Sequence, residues 1–318
     1  MDEGADMDPI ITGAVAKAGE VGMKAADSAT KEAFSLLSRL LGPSADVIGE
    51  DWADRLRHKN MTRLLEKTEK HAQGKAEPGW AQPRVAAAIF EAAQYANDEI
   101  VTDYLSGVLA SSREPDGGTD DALPWSSLVS RLSALQLRTH YVFYSNLRQI
   151  ASVTRERKRI FDLETTHVAI SLAEFLPAVG LDPGEHGLQR LSDALQGLKQ
   201  EDLVGGFGYG DRDFWTDRYE KSHPRYKLRG LKQKRRVLET PFEEVLQISF
   251  TPFGVQLFLW GLGHGTADDT DYFNPDLHLV INESDPSATS QQLNDIDLSN
   301  EYWVEYEMEE DSEDPDLE

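Results

Sequence analysis

Cysteine is absent from the 318-residue sequence, which excludes disulfides, thiolate nucleophiles, Cys-x-x-Cys redox pairs and thiolate metal sites. Long apolar runs are absent as well: the longest largely apolar stretch, 257–262, is far too short to cross a bilayer. The opening MDEGADMDP has no basic n-region of the kind a secretory leader carries. These absences together predict a cytoplasmic protein without stable membrane insertion. Basic residues are missing from one end of the chain. The last is Arg236, and residues 237–318 hold 21 acidic groups with no Lys or Arg. Residues 1–236 are nearly balanced, with all 32 basic groups against 35 acidic ones, so the formal charge of -24 is mostly a property of the last quarter.

What is present is ordinary for a soluble chain. With 40% hydrophobic and 28% charged residues, collagen-like and wholly disordered readings fall away, and the length fits about two domains. Asp8-Pro9 reads as an N-cap followed by proline in the first helical turn. Ile10, Ile11, Ala14, Val15, Ala18 and Val21 then recur at helical spacing, predicting a helix over 9–41. After Gly42-Pro43-Ser44, a second helix over 44–72 carries Ile48, Trp52, Leu56, Leu64, Leu65 and Thr68 on one stripe. A Gly- and Pro-rich loop at 74–83 leads to helices over 84–96 and 98–111, the latter capped by Asp98.

These four helices make one bundle-like unit, 1–112. Residues 113–124 gather proline, paired glycine and acidic residues and read as a linker. Beyond it the pattern predicts a short helix over 125–132, and a longer one starting at Ser133 with Leu135, Leu137, Tyr141, Tyr144 and Leu147. Further helices follow over 163–179 and 186–200. A strand and turn fit 202–210, a second strand fits 245–250, and Thr251-Pro252 caps a final helix. Three helices, a strand, a long connection, a strand and a helix is the order of a winged-helix module, expected over 125–265. Residues 266–318 read as an acidic, largely disordered tail, because 301–318 alone has ten carboxylates, which repel one another and bury little. The expected fold class is therefore mainly α: an N-terminal helical bundle, a winged-helix-like α+β module and the tail.

Two stretches carry a likeness to known proteins. One is Leu41-Gly-Pro-Ser-Ala-Asp-Val-Ile-Gly-Glu50 running into Asp54-Arg-Leu-Arg-His-Lys-Asn60; the other is Leu203-Val with Ile248-Ser-Phe-Thr-Pro-Phe-Gly254. Over about 35–262 the chain resembles the Abi-alpha family, DUF4393, bacterial proteins of abortive phage infection. The resemblance implies antiviral defence, with a phage component as a partner. It supplies no catalytic residues to carry over, because its motifs consist of capping and packing residues.

Residues 225–236 form the most basic segment: Arg225, Lys227, Arg229, Lys232, Lys234, Arg235 and Arg236, with no acidic neighbour. It falls where a wing is expected. Exposed Lys and Arg displace counterions from phosphates and give sequence-independent affinity that salt weakens, and Tyr226 offers a stacking face for an unpaired base. The same composition also suits a solvated loop or a docking surface for the chain's own carboxylate tail. The tail, likewise, reads either as a solubilising appendage or as a competitor with nucleic acid for the arm. Helix 186–200 offers Gln189, Arg190, Asp193, Gln196 and Lys199, a nearly neutral set that argues against base reading in the major groove.

Other constellations carry less. The glycines at 205–210 and 261–265 lack both GxGxxG spacing and a following Gly-Lys-Ser/Thr, so they read as turns and a helix end needing positive backbone angles, and no cofactor is assigned. The eight histidines form no HxH, HxxxH or HExxH pair, and His264 near Asp268, Asp269 and Asp271 reads as a solvated acidic turn rather than a metal site. No GxSxG elbow occurs, so no catalytic residue is assigned and enzymatic activity is not expected, although a site assembled from distant segments leaves no local signature. The sequence thus predicts a non-enzymatic, macromolecule-binding protein with a basic arm gated by an acidic tail. A toxin-like effector whose N-terminal helix self-associates or perturbs membranes is the alternative.

Overall fold

The computed structural model describes residues 35–42, 59–72, 79–153, 167–211, 231–234, 244–274, 276–281 and 305–308. Most of the helix expected over 9–41, and the first half of the one expected over 44–72, lie outside them. The described residues are mainly helical, with small antiparallel sheets. The chain divides into two compact units: the described residues up to Ala134 with Leu259–Thr266, and Leu135–Phe258 with the described residues from Ala267 onward. Residues 113–124 lie inside the first.

In the first unit the helices are α1 (35–41), α2 (Lys59–Ala72), α3 (Pro83–Gln94), α4 (Glu99–Ser111) and α5 (Leu123–Arg131). Met61, Leu64, Leu65 and Thr68 of α2 are buried at helical spacing. Thr68 returns its hydroxyl to the Leu64 carbonyl at 2.8 Å, so the stripe contains no unpaired donor there. Helix α4 starts where the Asp98 side chain accepts from the Ile100 amide at 3.1 Å. It is buried on nearly every face, through Tyr104, Leu105, Val108 and Leu109 among others, and α2, α3 and α5 all pack against it. At Gly107 the approach is backbone to backbone, since a Cβ there would lie 1.8 Å from the Gly261 carbonyl oxygen. Strands β1 (Trp80–Ala81) and β2 (Arg113–Glu114) pair across the unit.

The second unit contains α6 (Ala134–Val153), β3 (His167–Ser171), α7 (Leu172–Ala178), α8 (Glu185–Gln200), β4 (Phe207–Asp211), β5 (Leu231–Lys234), β6 (Glu244–Ser249), the first part of α9 (Pro252–Gly261), a 3-10 turn (Asp269–Phe273) and β7 (Glu305–Met308). A three-stranded antiparallel sheet has the order β3-β6-β4, with Ile248 opposite both Val168 and Phe207. Val245, Leu246 and Ile248 of the central strand are buried, and α7 packs on β3 and β6. Helix α8 buries Leu191, Leu195 and Leu198, three of the leucines that predict it. Thr251 caps α9 by accepting from the Gly254 amide at 3.0 Å.

Three expectations differ from the fold. The described part of the segment expected as one helix over 163–179 is a strand, β3, followed by the short helix α7, because β6 supplies a hydrogen-bonding edge that no local pattern advertises. The glycines of 205–210 do not take positive φ, since Gly208 and Gly210 lie within β4 and the left-handed residue just before them is Asp202 at 58°, whereas in the 261–265 cluster Gly263 takes 85° as expected. Part of the expected tail is ordered: Tyr272, Leu279 and Ile281 are buried, and Glu305–Met308 form a strand. Residues 282–304 and 309–318 of the expected tail lie outside the described residues.

Candidate functional site

The connection between β4 and β6 contains the basic segment, and its described part is β5, Leu-Lys-Gln-Lys. This strand pairs with β7, Glu-Tyr-Glu-Met, from the acidic tail. The pairing is antiparallel, with Leu231 opposite Met308, Lys232 opposite Glu307, Gln233 opposite Tyr306 and Lys234 opposite Glu305. Both lysines of β5 therefore stand at positions directly across from glutamates. Opposite charges at such positions stabilise an antiparallel pair by roughly 0.2–1 kcal/mol each. Among the candidate residues, Lys232 and Lys234 lie on the strand that pairs with the tail, while Arg225, Lys227, Arg229, Arg235 and Arg236 lie outside the described residues.

Helix α8 presents Gln189, Arg190, Asp193, Gln196 and Lys199 to solvent. Gln189 donates to the Asp193 carboxylate at 2.9 Å, so part of this near-neutral face is satisfied within the helix itself.

Sequence reasoning missed a buried polar lattice beside the sheet. His140 and Tyr144 lie one turn apart on α6, with ring centroids 4.5 Å apart. His140 Nε2 is 3.0 Å from the Gly254 carbonyl, and complete burial holds its pKa down at about 3, so the ring is neutral and donates. The Tyr144 hydroxyl donates to the Leu203 carbonyl at 2.8 Å and accepts from the Thr251 amide at 3.1 Å. Burial pushes that phenol well above its ordinary value. Gly254 has to be glycine, since a Cβ there would sit 2.0 Å from the Tyr144 hydroxyl. Tyr141, Tyr144 and Tyr272 surround Phe258, with centroids 5.7–6.1 Å away. Arg148 donates to the carbonyls of Tyr272 at 3.0 Å, Asn274 at 2.6 Å and Leu277. With His140, Tyr144 and Arg148 all turned to main chain, this lattice reads as support rather than chemistry. Its sequence signal is a helix carrying His140, Tyr141, Tyr144 and Arg148 among apolar residues.

In the first unit, the Arg113 guanidinium is almost fully buried and donates to Glu69 at 3.1 Å, to the Gly79 carbonyl at 3.1 Å and to the Arg39 carbonyl at 3.4 Å. Lys67 pairs with the largely buried Asp103. His71 is held down at about 4, first by burial and then by the neighbouring His264 and Lys67. Asp268 and Asp271 make a reciprocal capping box at the 3-10 turn. Among the described residues, no group of three or more His, Asp or Glu is arranged to hold a metal ion. Likewise, no described helix is long and apolar enough to cross a membrane.

Comparison with family models, curated proteins and solved structures finds no match to this chain.

Proposed function

We propose that this chain is a non-enzymatic, cytoplasmic phage-defence protein that acts by macromolecular binding, with the basic arm 225–236 as its contact element and its acidic tail as the resting occupant. The observation that carries the reading is the antiparallel register that sets Lys232 and Lys234 opposite Glu307 and Glu305. Nucleic acid is the ligand class we assign to the arm, through its phosphates and without sequence choice. The winged-helix-like reading, for the part of 125–265 that falls in the second unit, is supported by the order helix, strand, two helices, strand, long connection, strand, with sheet order β3-β6-β4. The arm then falls in the wing, and the nearly neutral exposed face of α8 favours phosphate contact over base readout. The resemblance to Abi-alpha proteins supplies the biological setting.

The test is removal of residues 301–318 followed by titration with single- and double-stranded nucleic acid. The truncated chain should bind more tightly than the full chain. If about five phosphates are neutralised, its affinity for duplex should fall on the order of several hundredfold between 50 and 200 mM salt. Negligible binding by both forms at low salt would reject the nucleic-acid reading. Phage plating with and without the arm's seven basic residues tests the defence role.

A further inference from the structure

Resting on the reading that the arm is the contact element and the tail its resident, we infer that β5, in addition to the arm's phosphate contacts, is a strand-addition site that accepts in trans an extended protein segment carrying carboxylates at alternate positions. The juxtaposition on which this stands is the four-residue antiparallel pairing of β5 with β7. A strand that already accepts main-chain pairing from an acidic segment has an edge that another segment of the same kind fits. Main-chain hydrogen bonds supply affinity in strand addition, and alternate residues supply selectivity. Glutamates at 305 and 307 alternate in step with Lys232 and Lys234, and a one-residue slip would set each lysine opposite Tyr306 or Met308 rather than a carboxylate. In the sequence, the same numbering sets one further opposite-charge pair in step with β5 and β7, Arg229 with Glu310. Nucleic acid satisfies the charges of such a strand but offers no peptide ladder.

The resident strand is replaceable. Two strands alone are at best marginally stable in water, and β5 and β7 form a sheet of their own, separate from β3-β6-β4. What favours β7 is that it belongs to the same chain, so that its pairing needs no second molecule. An acidic strand from another protein displaces it by being longer, better matched or locally concentrated. A defence protein of this build is switched when an incoming protein exposes an acidic edge.

The experiment uses the full chain and the full-length variant Glu305→Lys/Glu307→Lys, whose resident strand is repelled by β5. A fluorescent synthetic peptide spanning residues 301–311, its Tyr306→Pro form, a same-composition scramble and a single-stranded oligonucleotide are titrated by anisotropy. The unaltered peptide should bind the variant at least tenfold tighter than the full chain, and the proline and scrambled peptides should bind at least tenfold more weakly than the unaltered one. Equal binding of all three peptides would reduce the contact to net charge and overturn strand addition. Binding of the oligonucleotide alone would overturn it while leaving the nucleic-acid reading standing; binding of the peptide alone would do the reverse. No binding of either would remove both.

Discussion

Lys232 stands directly opposite Glu307 in the antiparallel pair of β5 and β7. Residues at such positions have Cα atoms about 4.5–5.5 Å apart, within the span a disulfide bridges. Because the chain has no cysteine, the double variant Lys232→Cys/Glu307→Cys contains a single thiol pair. Mild oxidation should close it within one chain, seen as a faster-migrating monomer on a non-reducing gel, and should suppress ligand binding by the arm at least tenfold until reductant is added. The mismatched pair Lys232→Cys/Glu310→Cys should close far more slowly; equal rates would show that the register is not populated.

Arg148 holds the segment 272–277 by three carbonyls at once, which only a planar, multiply donating guanidinium achieves. Arg148→Ala should destabilise the second unit by roughly 2–3 kcal/mol, the range for losing charge-assisted hydrogen bonds. Arg148→Lys should recover less than half of it. Hydrogen exchange should show the loss concentrated in residues 267–281, and uniform loss across the unit would contradict the clamp.

Gly107 tolerates no side chain, because its neighbour is the Gly261 carbonyl itself rather than a movable side chain. Gly107→Ala should lower stability by roughly 2–4 kcal/mol through backbone displacement. Gly118→Ala, where a Cβ meets Asp116 at an ordinary 3.5 Å, is the control and should change stability by less than about 0.5 kcal/mol. Thermal unfolding of the two variants decides.

His71 and His140 make stability fall in mild acid. Both folded-state values lie below the ordinary 6.5, at about 4 and about 3. Between those values and 6.5 the unfolded chain binds more protons than the folded one, so stability is complete above about pH 6.5 and declines as pH drops toward 4. From pH 7 to 5 each histidine should contribute a loss of up to about 2 kcal/mol. That window lies above the ordinary carboxylate range. Urea midpoints at the two pH values check this, and His71→Gln should flatten the dependence of the first unit alone.

Much of the helical framework is legible locally. Asp98 predicts its cap because an N-terminal amide needs an acceptor two residues back, and it finds one. Thr251 does the same for α9. The leucines of α8 point inward at the spacing they show in sequence. Strand β3 is not legible: Val168 and Ile170 suit either state, and only pairing with residues 245–249, far along the chain, decides for a strand. His140 gives no signal, since a histidine on an apolar helix face reads the same until the Gly254 carbonyl is placed against it.

At the candidate site the division falls elsewhere. Charge separation is a property of the sequence, which alone determined that every Lys and Arg precedes residue 237 and that the last quarter carries 21 acidic groups with no Lys or Arg. It left open whether that tail attends the arm, because charges attract at many geometries and composition does not choose among them. Tertiary structure decided the register, with Lys232 against Glu307 and Lys234 against Glu305. Strand pairing is directional and periodic, and a hydrogen-bonded ladder admits one alignment where electrostatics alone would accept several.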